Sequence, residues 1–178
     1  MKKSVSSFSV LIAFSVVFGV FSSVNASATV PGPTALLAQF KGNWSGTGMI
    51  ESLGNPTLHL TGGQKCKVVA NENAIQCTGH WEGEGGFVLD EAIQGGYDVA
   101  SDKINWQVVY SLGTAFTVLG GWNTAGDTLT LGRSFASPGG TVDEVGSWTF
   151  ANRHNRSLII EDSIGSTVVQ RFTASVSK

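Results

Sequence analysis

The side chains that could do chemistry in this sequence do not form a recognisable catalytic motif. The three histidines, His59, His80 and His154, lie far apart, and none belongs to a His-x-His or His-Glu-x-x-His arrangement. No Gly-x-Ser-x-Gly sequence occurs, so the strained turn that presents a serine nucleophile in many hydrolases is not predicted. We therefore predict no catalytic residue and no enzymatic activity.

One short segment has the spacing of a metal site. His80, Glu82 and Glu84 alternate along the chain, so on a regular strand they would share one face and could bind a metal ion. The glycines that separate and follow them favour a polar bend instead. Both interpretations remain open, and the bend is the one we favour, so no metal ligand and no cofactor is predicted.

Carboxylates occur as two adjacent pairs, Asp90-Glu91 and Asp143-Glu144. Successive side chains of a strand point to opposite faces of the sheet. The two members of either pair therefore cannot act as a facing acid and base within one strand.

The first 28 residues have the three parts of a secretory signal peptide: Lys2 and Lys3, an apolar run over residues 10–21, and small residues at 25–28. The expected mature chain, residues 29–178, has the length of one domain and no run long enough for a membrane span. Loss of both leader lysines would move the formal net charge from −2 to −4, which argues against nucleic acid as a partner. A secreted or periplasmic location is predicted.

Cys66 and Cys77 flank a predicted hairpin. Pairing Val69 with Ala74 leaves residues 70–73 as a four-residue loop and brings the two cysteines opposite each other at a close, non-hydrogen-bonded position. Cysteines in exported proteins are commonly oxidised, so we predict a disulfide. Two free buried thiols are the alternative.

The remaining pattern predicts an all-β fold. A short helix is expected over residues 34–41, where Leu36, Leu37 and Phe40 share a face. Beyond it, turn residues recur every 8 to 12 positions or so, and between residues 104 and 111 apolar side chains at 104, 106, 108 and 110 alternate with polar ones at 105, 107 and 111. Short sequential connections favour a meander. The prediction is an antiparallel up-and-down β-barrel of about eight to ten strands with a short N-terminal helix.

A Gly-x-Trp sequence, Gly42-Asn43-Trp44, directly after the predicted helix, together with Arg171 in the last strand, resembles the calycin superfamily of lipocalins and fatty-acid-binding-like barrels. The resemblance implies that Gly42 allows a tight start to the barrel, that Trp44 plugs its base, and that Arg171 packs over the indole. The chain lacks the Thr-Asp-Tyr loop motif of the lipocalins. Its layout is more similar to bacterial calycin-like secreted families.

Aromatic residues are spread over successive predicted strands, and in a barrel of this size they either fill the interior or line a small cavity. The candidate lining residues for a small hydrophobic or amphipathic ligand are Trp106, Tyr110, Phe116 and Trp148. The alternative is a filled barrel with a structural or protein-interaction role, such as an inhibitor-like envelope protein.

Overall fold

Alternation of inward apolar and outward polar residues produces ten long strands in the computed structural model, which describes residues 32–70 and 73–178. The predicted signal peptide lies outside the described residues. The elements, in chain order, are α1 (Pro33–Leu37), a 3₁₀ turn (Ala38–Phe40), β1 (Gly42–Ser52), β2 (Leu58–Val69), β3 (Ala74–Gly83), a second 3₁₀ turn (Glu84–Gly86), β4 (Val88–Asp98), β5 (Lys103–Tyr110), β6 (Ala115–Trp122), β7 (Thr128–Ser137), β8 (Gly140–Asn152), β9 (Asn155–Ile164) and β10 (Thr167–Ser177).

Every strand pairs antiparallel with its neighbours in sequence, and β1 pairs with β10 to close the sheet into a barrel. This confirms the predicted fold class. Because the strands run up and down, their connections alternate between two ends. We call the end that carries α1 the closed end and the opposite one the open end. Among the described residues, no helix has the length and apolar character needed to cross a membrane.

The predicted disulfide hairpin is confirmed. Val69 pairs with Ala74 and Cys66 with Cys77, and the two cysteines are bonded with their Cα atoms 4.1 Å apart. Both are buried on the inward face, near the closed end.

Strand β2 begins at Leu58, well before the cysteine hairpin, and runs through two consecutive glycines. Gly62 and Gly63 gave no side-chain pattern to read, but the fold requires a small residue there. A Cβ atom on Gly63 would lie 1.9 Å from the carbonyl oxygen of Trp44, so glycine allows β1 and β2 to approach closely.

An aromatic cluster fills the closed end. Phe40, which the 3₁₀ turn places inside the barrel, is fully buried, with its ring centroid 5.0 Å from that of Trp106 and 5.6 Å from that of Trp148. The rings of Phe150 and Trp122 lie 4.9 and 6.3 Å away. Edge-to-face and tilted contacts of this kind stabilise a core beyond the area that they bury.

Gly42 and Trp44 lie at the start of β1. Gly42 adopts a φ of 132°, which side-chain-bearing residues rarely tolerate. Trp44 points into the closed end and donates a 2.7 Å hydrogen bond from Nε1 to the carbonyl oxygen of Phe40.

The arginine over the indole is Arg156 of β9, and the prediction of Arg171 was wrong. The guanidinium carbon of Arg156 lies 4.1 Å from the Trp44 ring centroid, and the residue is 3% exposed. Arg171 has a 44% exposed side chain on the outside of the barrel, where it binds Glu161 at 2.6 Å. The reason is strand alternation: Arg171 precedes the inward-facing Phe172, so its own side chain must point outward.

Candidate ligand-binding cavity

A cavity of about 580 Å³ occupies the half of the barrel between the aromatic cluster and the open end. Inward-facing residues of all ten strands line it, and residues such as Pro56 and Leu112 from the open-end turns form its rim. The barrel is therefore hollow in this half. All four predicted lining residues, Trp106, Tyr110, Phe116 and Trp148, lie in its wall.

The walls of the cavity are mainly aromatic and aliphatic. The rings of Tyr110 and Phe116 lie 5.7 Å apart, and those of Trp81 and Phe172 meet edge to face at 5.9 Å. Gly95 of β4 makes room for the Trp106 indole, since a Cβ atom there would lie 2.2 Å from the ring. The wall thus presents large, fixed apolar surfaces to the space inside.

Glu91 of β4 is a buried carboxylate in this wall. Its Oε1 accepts hydrogen bonds from Gln64 Nε2 at 2.6 Å and from Trp81 Nε1 at 3.2 Å. Gly79 on the neighbouring strand leaves space for this carboxylate, because a Cβ atom there would lie 2.2 Å from Oε1. Burial raises the pKa of Glu91, while the two hydrogen bonds and the positive charge of Arg156 oppose the shift.

Gln64 connects this carboxylate to the closed end. Arg156 donates a hydrogen bond from Nη2 to Gln64 Oε1 at 2.5 Å, and Gln64 in turn donates to Glu91. Burial lowers the pKa of Arg156 to about 9, and the charge of Glu91 works against that shift. The guanidinium therefore remains charged at neutral pH. It also lies 4.5 Å from the Trp148 ring centroid, so one residue contacts both the aromatic cluster and the cavity wall's polar network.

A second polar group lies on β7 and β8. Arg133 Nη2 donates to Glu144 Oε2 at 2.7 Å, and both side chains are largely buried. The guanidinium carbon of Arg133 also lies 3.3 Å from the ring centroid of Phe116 and 4.5 Å from that of Phe135. The cation is held by one carboxylate and two rings.

Asp162 of β9 lies directly across from Glu144 in the sheet register. Its Oδ1 is buried and has no hydrogen-bond partner among the described residues. Burial, reinforced by the like charge of Glu144 and opposed by Arg133, raises the pKa of Asp162 to about 6. Burial also raises the pKa of Tyr110, together with the negative charges of Glu91, Glu144 and Asp162 and against the charge of Arg133.

The segment considered as a metal site lies on the outside of the barrel. His80 Nδ1 is 2.6 Å from Asp90 Oδ1 and its Nε2 is 3.1 Å from Glu82 Oε1, while Glu84 belongs to the following 3₁₀ turn. The hydrogen bond with Asp90, followed by that with Glu82, raises the pKa of the imidazole. Within residues 32–70 and 73–178, no group of three or more potential ligands is arranged to bind a metal ion.

The sequence interpretation missed the charged residues of the interior. It selected none of Arg133, Arg156 and Asp162 as an interior residue. A signal was present in the alternation: Asp162 shares the parity of Leu158 and Ile160 and therefore shares their face. For the adjacent pairs, the structure confirms opposite faces, with the glutamates facing inward.

No known protein-family model matches the sequence, and no curated protein matches it either. Several solved structures are similar to the barrel in fold. Rv2717c from M. tuberculosis is similar over 84% of this chain and 98% of its own length, with a TM-score of 0.63 and 14% identity. The S-type phycobiliprotein lyase CPES from Guillardia theta is similar over 81% of this chain and 90% of its own, with a TM-score of 0.58 and 10% identity. The barrel has a calycin-like fold.

Proposed function

We propose that this calycin-like barrel is an exported protein that binds a small hydrophobic or amphipathic molecule in its interior. The observation that carries the proposal is the 580 Å³ cavity, whose volume falls in the range of small-molecule sites, roughly 300–1,000 Å³. Trp106, Tyr110, Phe116 and Trp148 are the proposed contact residues.

The composition of the wall supports an apolar ligand. The rings of Tyr110, Phe116 and Phe172 are only partly buried among the described residues, and a ligand that covers their remaining apolar surface gains hydrophobic and dispersion energy. The few polar groups are placed on defined strands, as in sites that orient a ligand. A filled barrel with a purely structural role does not account for this space.

Two features support export. The first 28 residues have a signal-peptide pattern, and the Cys66–Cys77 disulfide is of the kind that persists in oxidising compartments. N-terminal sequencing of protein recovered from the native export route should find a chain that starts near residue 29. A chain that retains Met1 and stays in the cytoplasm contradicts this part of the proposal.

Ligand binding is tested first by native mass spectrometry of the exported protein, where a non-covalent adduct should disappear on denaturation. The second measurement is titration with N-phenyl-1-naphthylamine, a neutral apolar dye whose emission should rise in the cavity. Quenching of tryptophan emission should follow the same curve, because Trp81, Trp106 and Trp148 lie in the wall.

A blocking variant locates the site. Gly146 lines the cavity, and a Cβ atom there would make only ordinary contact, with Ile160 Cγ1 at 3.5 Å. Gly146→Leu should therefore fold and reduce dye affinity about tenfold or more by occupying the space, a change of about 1.4 kcal/mol. Gly121→Leu, at an exposed glycine with nothing within 4 Å, is the matched control. Equal affinity of both variants, or no dye binding at all, contradicts the proposal.

A further inference from the structure

The cavity lining carries more negative than positive side chains. Glu91, Glu144 and Asp162 are its three carboxylates, and Arg133 is the cation in the wall. Arg156 lies behind Gln64 and does not line the cavity. A ligand in this space therefore meets an excess of negative charge.

The three carboxylates differ in how far their charges are balanced by contacts within the protein. Arg133 is bound to Glu144 at 2.7 Å, and Glu91 is satisfied at Oε1 by two neutral donors. Asp162 has no ion pair within 4.0 Å among the described residues, and its Oδ1 has no hydrogen-bond partner there. The Asp162 side chain is about half-buried, so its negative charge carries a desolvation cost, and a ligand ammonium that reaches the carboxylate from the cavity would offset part of that cost.

The aromatic rings of the wall also favour a positively charged ligand. A cation gains energy over an aromatic face, and the partly buried rings of Tyr110 and Phe172 share the wall with Asp162. Arg133, in contrast, is already engaged by Glu144 and by the face of Phe116. A ligand carboxylate would have to compete with Glu144 for it and would be repelled by Asp162 and Glu91.

This inference rests on the proposed function. We propose that the cavity selects amphipathic ligands with a protonated amine, in which the ammonium group binds the Asp162 carboxylate and the apolar body lies against the aromatic wall. The excess negative charge of Glu91 and Glu144 adds to this preference.

The preference depends on pH. The groups that face Asp162 are Glu144 from β8, Arg133 from β7, Glu91 from β4 and Tyr110 from β5, while its β10 neighbour, Gln170, is neutral. In the free protein Asp162 becomes protonated as the pH falls through about 6. An alkylamine remains protonated throughout this range, so its affinity should fall as the pH is lowered from 8 to 5.

Three ligands with the same chain separate charge from apolar binding: dodecylamine, dodecanol and dodecanoic acid, each used to displace N-phenyl-1-naphthylamine from the mature protein. At pH 7.5 and low salt, the amine should bind about tenfold more tightly than the acid, with the alcohol between them, since only the amine can form a charge-assisted hydrogen bond with the Asp162 carboxylate. In wild-type protein, only the amine should weaken as the pH is lowered to 5.

Asp162→Asn should reduce dodecylamine affinity about fivefold to tenfold and leave dodecanol affinity within about twofold. Glu161→Gln, the outward neighbour on the same strand, is the matched control and should change neither. Thermal melting confirms that both variants fold, and the wild-type pH profile needs no variant.

The outcomes are distinguishable. Acid binding as tight as amine binding, or an amine affinity unchanged by Asp162→Asn, overturns the charge preference and leaves the cavity proposal intact. Failure of the dye and of all three ligands to bind overturns both proposals.

Discussion

The two halves of the barrel interior use similar residues to opposite effect. At the closed end, Phe40 lies among the rings of Trp106, Trp122, Trp148 and Phe150, and the space is filled. Toward the open end, rings of the same size line a cavity that no described side chain fills. Trp106 and Trp148 belong to both halves.

The difference lies in what enters the barrel along its axis. The 3₁₀ turn before β1 places one side chain, Phe40, inside the closed end, whereas the open-end turns place none at the centre. Aromatic content alone therefore does not decide whether a barrel is hollow. At the closed end, the segment before β1 decides whether the interior is filled.

The largest loss of stability is expected for Phe40→Ala. Loss of the central ring should lower the free energy of unfolding by about 3–5 kcal/mol, because four neighbouring rings lose their shared contact. Phe172→Ala, a ring in the cavity wall, should cost less than about 2 kcal/mol, since that ring is only partly buried. Urea unfolding measures both, and equal costs would mean that the two halves are packed alike.

Arg156→Ala tests the polar contact between the halves. We expect a loss of about 2–4 kcal/mol, because the change removes packing on Trp44 and leaves Gln64 Oε1 without its donor. Arg171→Ala should cost less than about 1 kcal/mol, as expected for an exposed ion pair. A larger loss for Arg171→Ala than for Arg156→Ala would contradict the assignment of Arg156 as the arginine that stabilises the closed end.

The disulfide stabilises the closed end by an independent route. Replacing Cys66 and Cys77 together by alanine should lower the free energy of unfolding by about 2–3 kcal/mol, the value expected for a short closed loop. The double variant should show the same urea midpoint with and without dithiothreitol, while the midpoint of wild-type protein should fall on reduction. Wild-type protein that is insensitive to the reductant would show that the bond contributes little.

The smallest change in the free energy of unfolding is expected for a substitution in the cavity wall, Asp162→Asn, and it has the opposite sign. The pKa of Asp162 is about 6 in the folded protein and ordinarily about 4, so its ionisation opposes folding as the pH rises through that window. Asp162→Asn should then stabilise the ligand-free protein at pH 7.5 by about 1 kcal/mol, a value reduced for partial solvent access, and by nothing near pH 3.5. Destabilisation at pH 7.5 would show that the carboxylate has a structural partner.

The sequence was sufficient where local pattern decides the structure. The loop at residues 70–73 fixed the register of the cysteine hairpin, and alternation placed Trp106 and Tyr110 on the inward face. It was insufficient where distant strands meet. Nothing local indicates that Glu91 of β4 would share a cavity with Asp162 of β9, because that proximity follows from barrel closure.

The arginine error had a related origin. The family resemblance supplied a residue type and a late position, and Arg171 fitted both, but only strand parity distinguishes it from Arg156. Whether the barrel was filled or hollow also could not be decided from composition, since it depends on strand number and on what enters each end.

The seam between β1 and β10 has a consequence for folding. Every other pairing joins consecutive strands and can form from a local hairpin, but this one brings the two ends of the barrel sequence together. Ile50 pairs with Phe172 and Ser52 with Gln170 across the seam, and all four line the cavity. The cavity is therefore completed only when β1 pairs with β10, the two strands that are farthest apart in the sequence. A ligand that fills the cavity stabilises the closed barrel relative to any state in which these two strands are unpaired.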